Sequence, residues 1–351
     1  MQKRIIALTD YKGHFGSKHF AKPYRSGMDL SLLADELEKR GYKVDFLPFH
    51  EVSLKPASSW NGKTVIYTSS EDPNLNYKSY IEDIALWLER AGAIILPPWT
   101  HLRANNNKVF MELMLKDFSL QKGKILPSYL FGSVAELNQV IDAIPQPSVI
   151  KGAAGSMGKH VMLAHNEKQL LNAARKISGS SGIRLRLKEW LRQIKHKGYK
   201  PDSLYRTKFI VQEFVPNLKN DWKVYVMGDA LYIFNRPIFK SRSFRASGGG
   251  YDNYRYGLEA DAPDGLFDFA FKIFRLLDVP MVSLDIGYDE HNKEFMLFEF
   301  QSLYFGTAGM LPYYSKHYFK YQNGGWETIE NNRPIEETYS DALCQYLNNK
   351  Q

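Results

Sequence analysis

From Arg4 to Trp99 the chain switches repeatedly between short apolar runs and helical periodicity, and this pattern restricts the fold more than any other feature. "RIIALTD" (Arg4–Asp10) predicts a buried strand. "SGMDLSLLADELEKRG" (Ser26–Gly41) predicts a helix closed by a glycine. "KVDFLPF" and "KTVIYTSS" predict two further strands, "NYKSYIEDIALWLERAG" a second glycine-terminated helix, and "AIILPPW" another strand. Strands and helices alternating through short loops imply a parallel sheet with helices on its faces. Such sheets hold ligands beyond the carboxyl ends of their strands. Here those ends lead into "TDYKGHFGSKHFAKPYRSGMD" and "SSEDPNLNY".

At 351 residues the chain is long for a single core, and its 44% hydrophobic content is that of a folded globular protein. The texture divides it into residues 1–101, 102–210 and 211–351. The net charge of +8 is partly local, since Gly182–Lys200, "GIRLRLKEWLRQIKHKGYK", carries seven Lys or Arg against one Glu. A solvated basic helix accounts for it, as does attraction of an anionic substrate or polymer. Nothing resembles a groove-reading motif, so nucleic acid is not the expected partner. The single cysteine, Cys344, excludes an intramolecular disulfide framework and a cysteine-based metal cluster. The short apolar run after the basic start is no signal peptide, and no apolar run has the length of a membrane span. A cytoplasmic protein is expected.

The stretch "PSVIKGAAGSMGKHVML" (Pro147–Leu163) packs Gly152, Gly155 and Gly158 between two apolar runs. A P-loop fails on spacing, because His160 follows Lys159. A dinucleotide fingerprint fails because a strand-like segment follows the glycines where a helix is required. Strand–loop–strand remains, with Lys151 at a strand end beneath the loop. Backbone N–H groups at such a tip can cradle an anion. Taken alone, a hairpin turn explains the glycines equally well.

Residues downstream favour the phosphate reading. "FIVQEFV" pairs polar Gln212–Glu213 with apolar Phe214–Val215, the make-up of a hinge that offers backbone groups to an adenine edge and apolar surface to its ring. In "VSLDIGYDEHNKEFMLFEFQ", Asp285 lies on one strand, and Glu299 and Gln301 lie two apart on the next, facing the same way. These oxygens suit Mg²⁺, which takes carboxylates together with substrate phosphates. One exposed hairpin face is the alternative. "NRPIFKSRSFRASGGG" gathers Arg236, Lys240, Arg242 and Arg245 before three glycines, cations able to meet a phosphate or a carboxylate.

A lysine, a glycine loop after a second lysine, a Gln-Glu hinge, an arginine loop and then Asp…Glu-x-Gln form an order that resembles the ATP-grasp superfamily. The texture is most similar to its carboxylate–amine ligases, such as the ribosomal-protein glutamate ligase, glutathione synthetase and D-alanine–D-alanine ligase. The resemblance runs from Leu102 to Leu347 and implies an α/β fold: an N-terminal parallel α/β domain followed by two α+β lobes. It implies that Lys108 and Lys151 contact nucleotide, Lys151 at the α- and β-phosphates, and that Gly155, Ser156, Met157 and Gly158 form a lid. Glu213 and Val215 would meet adenine, with Gln212 and Phe214 beside them, and Asp221 or Lys223 would lie near the ribose. Arg245 would stabilise the transferring γ-phosphate. Asp285 and Glu299 would bind Mg²⁺, two ions bridged by Glu299, with Mn²⁺ as a substitute. Gln301 departs from the usual asparagine, though its amide oxygen can still coordinate.

The activity so implied is ATP-dependent activation of a carboxylate as an acylphosphate, followed by attack of an amine. Such chemistry relies on metal and cations rather than on a covalent protein group. No Ser–His–Asp or Cys–His arrangement is evident in the sequence. Substrate-contact candidates are Arg25 and Ser26 before the first helix, where free N–H groups favour an anion, and Arg236, Arg242, Ser247 and Gly248 in the arginine loop. The acid and the amine are expected to be small molecules, saccharides or peptides, and a homodimer is compatible with the chain. A kinase on the same scaffold, or a nucleotide-binding regulatory protein, would use the same nucleotide residues.

Overall fold

The computed structural model describes residues 3–70, 72–116, 118, 124–155, 160–179, 182–238, 244, 253–303 and 305–350. Strands β1 (Lys3–Thr9), β2 (Tyr42–Pro48), β3 (Thr64–Tyr67) and β4 (Ile94–Leu96) form a parallel sheet in the order β2-β1-β3-β4. Alternation along the strands sends Ile5, Ala7 and Ile66 to one face and Leu8, Val65 and Tyr67 to the other. Helix α1 (Leu30–Lys39) covers the first face through Leu33 and Leu37, and α2 (Asn76–Arg90) the second through Ile81 and Leu88. The expected α/β layer is therefore present. Helix α1 starts later than its sequence pattern suggests, because Asp29 caps it by accepting from the Ser31 and Leu32 N–H groups.

Short helices α3 (Trp99–Ala104) and α4 (Lys108–Leu115) lead out of this layer. A second sheet, ordered β6-β9-β7-β8, is antiparallel: β6 (Ser128–Phe131), β7 (Ser148–Gly152), β8 (Val161–Ala164) and β9 (Phe209–Glu213). Helices α5 (Val134–Val140) and α6 (Glu167–Ser178) bury Leu137, Leu170 and Ala174 against its Ile150, Phe209 and Val211. Helix α7 (Ile183–Lys195) carries the basic segment.

The third sheet follows the order β16-β15-β11-β10-β13-β14-β5, with a two-residue strand β12 (Arg255–Tyr256) on β11. Its members are β5 (Lys124–Ile125), β10 (Asn220–Met227), β11 (Ala230–Pro237), β13 (Met281–Asp289), β14 (Glu294–Gln301), β15 (His317–Gln322) and β16 (Gly325–Glu330). The β10–β11 hairpin turns at Gly228–Asp229 as its sequence signals. The β15–β16 hairpin turns at Asn323–Gly324 and has no counterpart among the sequence expectations.

Strands β10, β11 and β13 alternate between two cores. Val224, Val226, Ile233, Leu284 and Leu297 pack on α8 (Leu266–Leu277) and on Met111 and Leu115 of α4. Tyr225, Met227, Tyr232 and Phe234 pack on α9 (Ile335–Asn349), whose Leu343 and Leu347 share that core with Ile5 and Leu37. The N-terminal layer and the large sheet are thus joined through α9.

Candidate active site

The face of the large sheet that packs on α9 turns polar toward one end. Asp221 and Lys223 of β10 have the same parity as Tyr225, and the register sets Asp221 opposite Arg236 and Lys223 opposite Asp285. Asp285 in turn lies opposite Glu299, and Ser283 opposite Gln301. Antiparallel pairing thus brings residues from four strands into one polar row.

The row is tightly paired. Arg236 Nε donates to Asp221 Oδ1 at 2.5 Å, and Arg236 Nη2 lies 3.0 Å from Asp285 Oδ2. Lys223 Nζ lies 2.7 Å from Asp285 Oδ1. Burial opposes ionisation of Asp285, but Arg236 and Lys223 outweigh it and hold the carboxyl well below the usual range. Burial, with the Asp285 charge added to it, pushes Asp221 up despite Arg236.

Two lysines reach the row from other elements. Asn107 caps α4 by accepting from the Phe110 N–H, which starts the helix at Lys108. Lys108 Nζ then donates to Glu299 Oε1 at 2.9 Å. The same turn grips the glycine loop: Lys108 N donates to the Ala153 carbonyl, and Gly155 N donates to the side-chain Oδ1 of Asn106 at 2.7 Å. Gly155 has φ of +128°, which a side chain would strain, so this position needs its glycine.

Lys151 arrives from β7 in the second sheet. Its ammonium donates to Gln212 Oε1 at 2.6 Å and lies 5.8 Å from the Phe298 ring centroid. Burial, with the Lys108 charge added to it, lowers the Lys151 pKa. The β13–β14 register shifts beside Asp285 and leaves Phe298 as the extra residue. The Phe298 ring lies over Gly287, where a Cβ would come within 2.3 Å of it. Glycine at 287 is what lets this aromatic floor lie flat on the sheet.

Gln212 Nε2 donates to Glu112 Oε1 at 3.2 Å and to Ser128 Oγ at 3.1 Å. Glu112 stands four residues after Lys108 on α4, hence on the same helix face. That spacing was the available signal for Glu112, an acid among the buried Met111 and Leu115. Phe298 and Gly287 had none, because a bulge is set by pairing. Burial pushes the Glu112 pKa up. Its folded form therefore binds its proton more tightly than the unfolded chain does, and the penalty appears as pH rises through the unfolded and folded pKa values. Glu112→Gln keeps an acceptor for Gln212, so it is expected to match the native stability at about pH 4 and to exceed it at about pH 8. Urea denaturation at the two values checks this.

The structure brings Lys108, Lys151, Gln212, Asp221, Lys223, Arg236, Asp285 and Glu299 into one network, with Gln301 at its edge. Glu213 ends β9, its N–H donating to the Pro127 carbonyl, and Phe214 and Val215 follow, half-buried. Ser156, Met157, Gly158, Lys240, Arg242, Arg245, Ser247 and Gly248 lie outside the described residues. Arg25 and Ser26 sit in the loop before Asp29 and are not brought into the network: the Ser26 N–H donates to the Pro23 carbonyl, and Arg25, at φ +63°, lies over the Tyr24 ring. That loop and the segment after β14 meet: His19 N donates to Thr307 Oγ1 at 2.9 Å, and Phe20 packs edge-on against Tyr313. Between them a mostly apolar cleft, lined by Phe15, Met28, Tyr67, Leu303 and Phe305, starts at Ser302, directly after Gln301.

Among the described residues no three His, Cys, Asp or Glu side chains converge on one metal-sized point. Asp285 and Glu299, adjacent across β13–β14, with Gln301 on the same face, fit an ion that completes its shell with water and phosphate oxygens. No helix among the described residues is long and apolar enough to cross a membrane.

The three-sheet arrangement is the ATP-grasp fold. D-cycloserine synthetase DcsG matches 98% of this chain and 99% of its own, at 11% identity and a TM-score of 0.54. The ATP-grasp ligase PsnB, solved with precursor peptide PsnA2 and AMPPNP, matches 98% of both chains at 12% identity and a TM-score of 0.52. A RimK domain ATP-grasp protein from Sphaerobacter thermophilus matches 97% of this chain and 99% of its own, at 12% identity and a TM-score of 0.51. At identities this low the structural likeness shows the fold alone. No family model matches the chain, and no curated protein sequence matches it.

Proposed function

We propose that the chain is an ATP- and Mg²⁺-dependent ligase that activates a substrate carboxylate as an acylphosphate for attack by an amine. The observation that carries this reading is the convergence of Lys108, Lys151, Asp285 and Glu299, drawn from α4 and from two different sheets, at one polar end of the large sheet. Asp285, Glu299 and Gln301 would hold Mg²⁺, which neutralises charge on the transferring phosphoryl group. Lys151 and Lys108 bring cations to the phosphates, and Gly155, Ser156, Met157 and Gly158 remain our candidates for the phosphate lid. Glu213, Phe214 and Val215 face the base, and Lys223 lies toward the ribose.

Arg236 is engaged by two carboxylates, so we assign it to holding Asp285 in place and Asp221 to holding Arg236. Arg245 remains our candidate for the γ-phosphate, and Arg25, Ser26, Arg242, Ser247 and Gly248 for the substrate. The cleft beyond Gln301 is the place we assign to the acid or the amine, and residues 1–101, 102–210 and 211–351 are the units we infer around it. Support for the ligase class comes from the fold, since DcsG is a synthetase and PsnB a ligase.

The test is ATP-dependent phosphate release screened against pools of carboxylic acids and amines. Release that requires both an acid and an amine supports a ligase. Phosphate retained on the product marks a kinase and overturns it. Glu299→Gln is expected to lower the release by at least about a hundredfold, and intact turnover would remove the metal assignment.

A further inference from the structure

Helix α7 is the part of the basic segment whose exposed side is not merely solvated. Its large apolar residues Leu187, Trp190, Leu191 and Ile194 are each more than half exposed. They stand at i, i+3, i+4 and i+7, so they form one continuous stripe along the helix. Among the described residues, none from α7 belongs to the apolar cores of the three sheets. The side roughly opposite the stripe faces the segment that follows the helix. There Glu189, 4% exposed, accepts from the Tyr199 hydroxyl at 2.6 Å, from the Asp202 N–H at 3.2 Å and from Arg192 at 2.6 Å. The anchor is a buried acid, and the outward face is apolar. A helix kept only for solubility would have the reverse arrangement.

The charges are placed with equal order. At a hundred degrees per residue, Arg184, Lys188 and Lys195 fall along one flank of the stripe and Arg186 along the other, all of them exposed. No acid lies on either flank: the one carboxylate in the helix is the buried Glu189. An apolar strip containing a tryptophan, bordered on both sides by cations, is the pattern of a helix lying in a membrane interface. The apolar strip enters the acyl boundary while the flanking cations meet anionic headgroups.

We propose that α7 docks the protein on an anionic lipid surface, with Leu187, Trp190, Leu191 and Ile194 inserted and Arg184, Arg186, Lys188 and Lys195 at the headgroups. The inserted face is a lipid contact, and the Glu189 cluster ties the helix to the Tyr199–Asp202 segment behind it. The surface stands apart from the nucleotide network, so the two are tested separately.

The experiment is co-sedimentation of the full chain with phosphatidylcholine vesicles with or without about a quarter phosphatidylglycerol, at low and high salt. Binding to the anionic vesicles is expected, weaker by about tenfold without phosphatidylglycerol and falling as salt rises. Trp190→Ala with Leu191→Ala is expected to weaken it by about tenfold, with the circular dichroism spectrum unchanged because both side chains are already exposed. Arg184→Gln with Lys188→Gln should weaken binding to anionic vesicles and leave the residual binding to neutral ones. Three results overturn the proposal: no association with anionic vesicles at low salt, association indifferent to the Trp190 and Leu191 changes, or a concentration-dependent dimer abolished by those changes. The last would make the stripe a contact between copies. Retention of poly-glutamate without vesicle binding would assign it to an acidic polypeptide instead.

Discussion

Lys151→Met is expected to cut ATP turnover by about 10²–10³-fold while leaving the folded protein close to native stability. The two effects part company because of where the ammonium sits. Burial and the neighbouring Lys108 penalise its charged form, so the ligand-free protein gains by losing it. The substitution also removes the 2.6 Å bond to Gln212 Oε1, which costs about 1–3 kcal/mol for an acceptor left without that donor. These terms oppose each other, and a shift in denaturation free energy within about 2 kcal/mol is expected. A purely structural lysine would behave differently, lowering stability and turnover together. Urea denaturation and phosphate release on the same preparation decide the point. Cost in the empty protein together with loss of activity on removal is the pattern of a group held for its ligand.

Asp285→Asn is expected to be harmful on both counts. Asp285 is the shared partner of Arg236 and Lys223, at 3.0 Å and 2.7 Å, and all three side chains are largely buried. Removing one member of a buried ion pair costs about 3–5 kcal/mol, since it strands the charges left behind. Arg236 keeps Asp221, which places the expected loss at the lower end, about 3 kcal/mol. Turnover should fall by at least about a hundredfold, because the neutral amide no longer offers Mg²⁺ a charge. Measurement is by chemical denaturation without metal and by phosphate release with it. Full turnover in a destabilised variant would reduce Asp285 to a structural ion pair.

Much of the architecture was legible because periodicity reports which side of an element is buried. The alternation from Arg4 to Trp99 announced the parallel layer, the Asn166–Ile177 pattern α6, and Gly228–Asp229 a hairpin. The failures have local causes. The start of α1 was placed early because Ser26 is itself a plausible cap, while Asp29 makes the bonds. The β15–β16 hairpin has no counterpart in the sequence reading, although Asn323–Gly324 marks its turn and Tyr318 is core. The basic segment was read by its charge, although the outward stripe of α7 is the apolar half of its pattern.

For the site, the sequence by itself determined which chemical groups are present and their order: two lysines around a glycine loop, a Gln-Glu strand end, then Asp and Glu-x-Gln. Side-chain parity along β14 was enough to put Glu299 and Gln301 on one face. Tertiary structure alone decided who meets whom. Lys108 and Glu299 are 191 residues apart, and only the packing of α4 against the large sheet closes them to 2.9 Å. The Gly228–Asp229 turn sets Asp221 opposite Arg236, but only the register of β10 on β13, strands far apart in sequence, brings Asp285 in and makes Arg236 the clamp between the two acids. Burial, which belongs to the assembled fold, raised the Glu112 pKa and made Lys151 a cation kept at a cost. Residue types carry the chemistry of a site, while distance and desolvation, which set its energies, exist only once the sheets have packed.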